Sequence, residues 1–173
     1  MSMNLKDHIA PIPCFPKSGI LFYKISQMLA HSAAWQSCVN RLAEYVAPHA
    51  PDGPISIKSR KILITAPVAI KICREFIIAR KGGKLPDPTV GHTYDLEHRT
   101  DTVEIRASVI KPGQRVVILD DLLGTGRTMV AAINFTQKLG GVVRDTVYII
   151  KLAFLGEPKK LSVPFDARRV YQD

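Results

Sequence analysis

The chain has 173 residues, with 24 Lys and Arg against 15 Asp and Glu, a net charge of +9, 46% apolar and 23% charged residues. This suits one globular domain with a full core; no apolar run approaches a membrane span and the first residues lack a signal-peptide core, so a soluble, cytoplasmic protein is expected. The excess positive charge suits a polyanionic ligand or an acidic partner, while dispersed basic residues without interleaved aromatics argue against nucleic acid.

Residues 1–12 read as a short helix or arm, broken by Pro11, Pro13 and Pro16. The Pro/Gly-punctuated apolar run from Phe15 to Ile25 can either cover a pocket or pack on the core. Ser32 is a plausible helix cap, and Trp35, Cys38, Val39, Leu42 and Val46 fall on one helical face. Pro48, Pro51, Gly53 and Pro54 end that helix. Ile55–Lys58 is a short strand, and a second helix pattern runs through Ile62, Ala66, Ala69 and Ile70. Cys14, Cys38 and Cys73 are few, odd in number and without metal or redox spacing, and are expected as reduced core filler. No internal repeat or low-complexity tract is present.

Glu75–Ala79 reads as the next strand. It leads into Arg80-Lys81-Gly82-Gly83-Lys84-Leu85-Pro86, a basic loop suited either to a diphosphate or simply to solvent. Residues 87–108 alternate loosely as a hairpin or flap. A turn at Lys111-Pro112-Gly113 precedes Val116-Val117-Ile118-Leu119, a buried strand ending in Asp120-Asp121. The loop Gly124-Thr125-Gly126-Arg127-Thr128 follows, and its N–H groups, hydroxyls and the positive end of the next helix can surround a phosphate. Carboxylates repel phosphate, so the acidic pair must face something else, such as ribose hydroxyls or hydrated Mg²⁺, or be merely solvated. Met129, Ala132, Ile133, Thr136 and Leu139 give a helix face closed by Gly140-Gly141. Val142–Leu152 is a further apolar strand, and the tail from Val163 to Tyr171 adds an edge strand.

The acidic pair with its loop resembles the phosphoribosyl diphosphate (PRPP) motif of type I phosphoribosyltransferases. The string Arg80–Pro86 matches the R-K-x-G-K-L-P signature of the adenine-specific branch, and Phe15–Ile25 is similar to its amino-terminal hood. The resemblance covers roughly residues 9–171. It implies an α/β type I phosphoribosyltransferase fold: a central, mainly parallel sheet flanked by helices, a short hood and a flexible flap. A single domain over 1–173 is expected, with arm and hood at 1–30 and flap at 87–108.

The implied reaction is adenine plus PRPP giving AMP plus diphosphate in purine salvage. Asp120 and Asp121 would hold the ribose hydroxyls; Gly124, Thr125, Gly126, Arg127 and Thr128 the 5′-phosphate; Arg60, Arg80, Lys81 and Lys84 phosphate groups, some across a homodimer interface. Leu21, Tyr23 and Leu152 would meet the base. Glu97, within Tyr94-Asp95-Leu96-Glu97-His98, would assist proton exchange at N7. Mg²⁺ would be held through substrate and water with no direct protein ligand. Against the family pattern, Lys24, Lys58 and Lys151 replace acids, Ser56 and Lys61 replace glycines flanking the Ser59-Arg60 turn, His98 replaces Tyr, and Arg99 and Arg127 replace Gly. These changes leave open another purine, such as hypoxanthine or guanine, or a weakly active or non-catalytic PRPP-binding relative.

Overall fold

The computed structural model describes residues 3–14, 21–57, 61–86, 88–95, 100–106, 108–123 and 127–151. Arg60, Glu97, Gly124–Gly126, Leu152 and the expected carboxyl-terminal edge strand lie outside these residues.

The arm opens with a 3₁₀ turn at Leu5–His8, capped by Asn4, whose side chain accepts from the Lys6 N–H at 3.2 Å. It continues as β1 (Ala10–Pro13), antiparallel to β2 (Leu21–Lys24). Of the expected short helix or arm, the structure has the arm, built from a 3₁₀ turn and a strand. Pro11 and Pro13 sit within the strand because a two-stranded ribbon has open edges, where a missing N–H breaks no ladder.

After α1 (Ser26–Ala30) comes α2 (Ser32–Val46). Its cap is His31, one residue before the expected Ser32: His31 Nδ1 accepts from the Ala34 N–H at 3.2 Å. Cys38, Val39, Leu42 and Val46 are buried as their spacing predicts, with Trp35 half-buried beside them. Burial pushes the Cys38 thiol up to about 12, so this cysteine is core filler. Cys14 and Cys73 are exposed, contrary to expectation, and occupy left-handed turns (φ 58° and 52°).

The remaining elements are β3 (Gly53–Ile57), α3 (Ile62–Lys71), β4 (Ile77–Lys81), β5 (Thr89–Asp95), β6 (Thr100–Arg106), β7 (Arg115–Leu123), α4 (Arg127–Lys138) and β8 (Val142–Lys151). Six strands form one sheet in the order β5-β6-β4-β3-β7-β8. The run β4-β3-β7-β8 is parallel, and β5 and β6 are antiparallel. This is the expected central, mainly parallel sheet flanked by helices.

Alternation along β7 sends Val117 and Leu119 to one face, packed with α2 and α3, and Val116 and Ile118 to the other, packed with Met129, Ile133 and Phe135 of α4. Helices on both faces explain why the central strand is apolar from Val116 to Leu119. The α3 face differs from expectation: Ile64, Thr65, Val68 and Ala69 are buried, whereas Ile70 is 78% exposed. The basic stretch also differs, because Arg80 and Lys81 belong to β4, opposite Glu104 and Val103 of β6, and the turn begins at Gly82.

β8 carries a bulge. Val116 pairs with Val143 but Val117 with Asp145, so Arg144 is the extra residue. The bulge switches the faces of β8, since Val143 lies with Ile118 whereas Val147 and Ile149 lie with Leu119. It therefore places Tyr148 on the α4 side, directly opposite Asp120. Asp145, turned to the other side, accepts from Tyr45 Oη at 2.6 Å and lies 3.3 Å from His49 Nε2, tying the end of α2 to the sheet.

At the amino edge of the sheet, Asp52 accepts from the Arg115 guanidinium at 2.8 and 3.2 Å and from its backbone N–H at 2.8 Å. These bonds to Arg115 hold the Asp52 carboxyl down at about 2. Gly53 beside it has no room for a side chain, since a Cβ would lie 2.8 Å from the Glu75 carbonyl oxygen. Gly53→Ala is expected to cost about 1–3 kcal/mol in urea unfolding through overpacking, whereas Gly82→Ala, whose Cβ meets side-chain atoms no nearer than 3.4 Å, should cost less.

Candidate active site

The chain order makes one switch in direction. β4 lies on one side of β3 and β7 on the other, so the crevice between the carboxyl ends of β3 and β7 is the topological switch point, where open α/β sheets bind ligands. Lys61 follows β3 and begins α3; Asp120 and Asp121 lie in the second half of β7; Arg80 and Lys81 end β4; Arg127 and Thr128 begin α4. The fold thus gathers onto one edge the basic stretch, the acidic pair and the start of the phosphate-loop helix, although they lie tens of residues apart in sequence.

Across the crevice the Lys61 ammonium donates to Asp120 Oδ2. The Asp120 side chain is 5% exposed and that of Lys61 14%, so the lysine lies on the solvent side of the pair. Burial drives the Asp120 carboxyl up to about 7 against the opposing pull of Lys61, and the neighbouring Asp121 pushes it further up. Burial, and then the charge of Asp120, also raises the Tyr148 hydroxyl. Asp121 is half-buried. The two adjacent carboxylates are therefore unequal: one is buried against a cation and the other is half-buried. The backbone cost expected for a non-glycine residue at position 61 is not incurred, because Lys61 has ordinary right-handed dihedrals (φ −69°, ψ −20°).

The basic stretch is held from β6. Gly83, in left-handed backbone at φ 72°, donates its N–H to Glu104 Oε2 at 3.0 Å, and the Gly82 N–H reaches the Thr102 carbonyl at 3.0 Å. Lys81 and Lys84 are exposed and Arg80 is half-buried. The hairpin carrying the expected flap is β5–β6, anchored on α4 by a stack of His92 on Phe135 (centroids 5.9 Å, interplanar angle 15°). At the hood, Tyr23 is partly buried against the core cluster that α2 shares with β7, and the backbone of Leu21 lies in β2. The Lys61–Asp120 pair, Tyr148 beneath it and Glu104 beneath the Gly83 turn were missed from sequence. Glu104 is a polar residue of an alternating strand, a pattern that signals position but not partner.

Among the described residues no group of three or more His, Cys, Asp or Glu side chains is arranged to hold a metal ion. The donors at the crevice are one half-buried carboxylate and one already engaged by an ammonium. That set fits a hard divalent cation carried mainly by substrate oxygens and water, as Mg²⁺ commonly is at phosphate sites.

Fold and crevice together define an α/β domain with a mainly parallel sheet that gathers acidic and basic residues at its topological switch point. The comparisons with known proteins agree. Residues 74–160 match the phosphoribosyl transferase domain family. The adenine phosphoribosyltransferase of Rhodospirillum centenum is 50% identical over 170 residues, 98% of this chain and 99% of the relative. The crystal structure of adenine phosphoribosyltransferase from Thermoanaerobacter pseudethanolicus matches with a TM-score of 0.88 at 36% identity, covering 95% of this chain and 96% of that one. The enzyme from Saccharomyces cerevisiae, complexed with an imino-altritol bisphosphate and adenine, matches with a TM-score of 0.88 at 28% identity over 94% of this chain and 95% of that one. The chain belongs to the phosphoribosyltransferase family, in its adenine phosphoribosyltransferase branch.

Burial makes the folded chain bind the Asp120 proton more tightly than the unfolded chain, where a carboxyl titrates near 4. The resulting contribution to stability is present at low pH and is lost as pH rises from about 4 to about 7. Asp120→Asn, which cannot ionise, should therefore gain about 1–3 kcal/mol relative to the parent between roughly pH 5 and pH 8, measured by urea unfolding at both values. A constant difference across that range would show that Asp120 does not titrate there.

Proposed function

We propose that this protein transfers the 5-phosphoribosyl group of PRPP to adenine, forming AMP and releasing diphosphate. The observation that carries the reading is the acidic pair Asp120-Asp121 at the switch point of the sheet, leading into the start of α4, in a chain half identical over nearly its full length to an adenine phosphoribosyltransferase. In the reaction adenine N9 bonds to the ribose C1, the bond from C1 to the diphosphate oxygen breaks, and the single imidazole proton of adenine, held on N7 while N9 attacks, is lost. Positive charge builds on the ribose as that bond opens, so the protein must align both reactants and exclude water.

The residue roles in this reading are those of the family pattern. Asp121, with Asp120 beside it, accepts hydrogen bonds from the ribose hydroxyls. Gly124, Thr125, Gly126, Arg127 and Thr128 hold the 5′-phosphate at the positive end of α4. Arg60, Arg80, Lys81 and Lys84 hold the diphosphate, and the Gly83 turn braced by Glu104 aims Lys84. Leu21, Tyr23 and Leu152 bound the base, and Glu97 shuttles its N7 proton. Mg²⁺, when bound with substrate, neutralises diphosphate charge as it leaves.

The reading includes a homodimer in the cytoplasm. Leu63 (51% exposed) and Ile70 (78% exposed) on α3 offer an apolar face suited to a second copy. No helix among the described residues is long and apolar enough to cross a membrane.

Purified protein should form AMP from adenine and PRPP with Mg²⁺, and far less product from hypoxanthine or guanine; preference for either of the latter would move the specificity. Asp121→Asn should weaken PRPP binding about 10–100-fold by calorimetry, the effect of losing a charged hydrogen-bond acceptor; unchanged affinity would remove Asp121 from the ribose site. Ile70→Glu should shift the sedimentation coefficient toward that of a monomer, and a parent protein already monomeric would rule out the dimer.

A further inference from the structure

We propose that Lys61 is a resident counter-cation of the PRPP site: its ammonium neutralises Asp120 and presents positive charge where ribose and diphosphate meet, so that substrate binding draws less on the divalent cation. The proposal rests on the reading of Asp120 and Asp121 as the ribose-holding pair.

Lys61 is placed by backbone, not by chance reach. It is the cap residue of α3, and its carbonyl accepts from the N–H groups of Ile64 and Thr65 at 3.1 and 3.0 Å and from Thr65 Oγ1 at 2.9 Å. That first turn fixes the root of the side chain at the switch point, beside the end of β7. A lysine there works against helix stability, because the start of a helix is its positive end. α3 has no acidic residue in its first turn to offset the charge. The ammonium instead meets Asp120, a carboxylate 59 residues away and on a different element.

The pairing has a consequence for substrate. PRPP brings a phosphate and a diphosphate to an edge that already carries two adjacent carboxylates. Without Lys61 the buried Asp120 carboxyl would hold its proton more tightly still, and the edge would lose a positive charge that acts on both anionic groups through a medium of low polarity, where Coulomb terms are poorly screened. The Lys61 ammonium supplies that charge. It has three N–H donors, and the Asp120 contact uses one of them. The lysine is the more exposed member of the pair, with 14% of its side chain exposed against 5% for Asp120. The site thus holds, permanently, one of the positive charges that bound Mg²⁺ would otherwise supply. Lys61 is a positioning and binding residue, with no bond-making role.

The test is PRPP binding by calorimetry, in Mg²⁺ and in EDTA, for the parent, Lys61→Gln, Lys61→Gly and Lys61→Arg, with folding checked by circular dichroism. The parent should lose less than about 10-fold in affinity on moving to EDTA. Lys61→Gln should lose about 10–100-fold more than the parent in EDTA, the weight of one charge-assisted contact, and recover most of it in saturating Mg²⁺. Lys61→Arg should behave like the parent. If Lys61→Gln misfolds because the buried Asp120 loses its cation, Lys61→Gly, which admits water to Asp120, makes the same measurement. Equal metal dependence in the parent and the uncharged variants overturns the proposal, as does an equal loss with and without Mg²⁺, which marks a merely structural lysine. A parent that does not bind PRPP even with Mg²⁺ overturns the reading of the site itself, and the proposal with it.

Discussion

A strand in the middle of a parallel sheet, covered by helices on both faces, can hold only apolar side chains until it reaches the edge. β7 obeys this through Leu119 and then breaks it at Asp120, which is still only 4% exposed. The break is tolerable because β3 runs alongside in parallel and delivers a cation at the same height. The cost of burying the carboxylate is offset by Lys61, and the charge of Asp120 in turn raises the hydroxyl of Tyr148 opposite it on β8. The position of β3, the start of α3 and the bulge in β8 all bear on this one group.

The two edges of the sheet are managed differently. At the amino edge the charges are exposed and paired for structure: Asp52 and Arg115 lock the entry to β3 onto the entry to β7. At the carboxyl edge the charges are partly buried and unevenly matched, with a carboxylate engaged by Lys61, a half-buried carboxylate beside it and several basic residues on neighbouring elements. An edge of that kind is costly for stability and useful for ligand binding, since each imbalance can be relieved by a substrate carrying phosphates and hydroxyls.

The replacement of small and acidic family residues by lysine takes on a physical sense at position 61. The family's glycine is not needed for backbone geometry here, because Lys61 has helical dihedrals. What changes is the charge of the crevice. The chain's net charge of +9 is consistent with a site that relies on resident cations, Lys61 among them.

Much of this protein could be read from its residues alone, because the signals were local. Apolar Val116–Leu119 followed by two acids and a Gly/Thr loop announced a parallel strand ending at a ligand edge, and the periodicity from Met129 to Leu139 announced the helix behind it. Capping and facing were less legible. His31 rather than Ser32 caps α2, and Ile70 faces out of α3, because both depend on what packs against the helix. Three features were decided only by the tertiary structure. One extra residue at Arg144 reverses the faces of β8, since a period of two cannot reveal where a bulge falls. Arg80 and Lys81 are drawn into β4 by pairing with β6, against the loop character of their glycine-rich surroundings. Lys61 and Asp120 meet because β3 and β7 are neighbours at the switch point, and a charge pair 59 residues apart leaves no pattern in the chain.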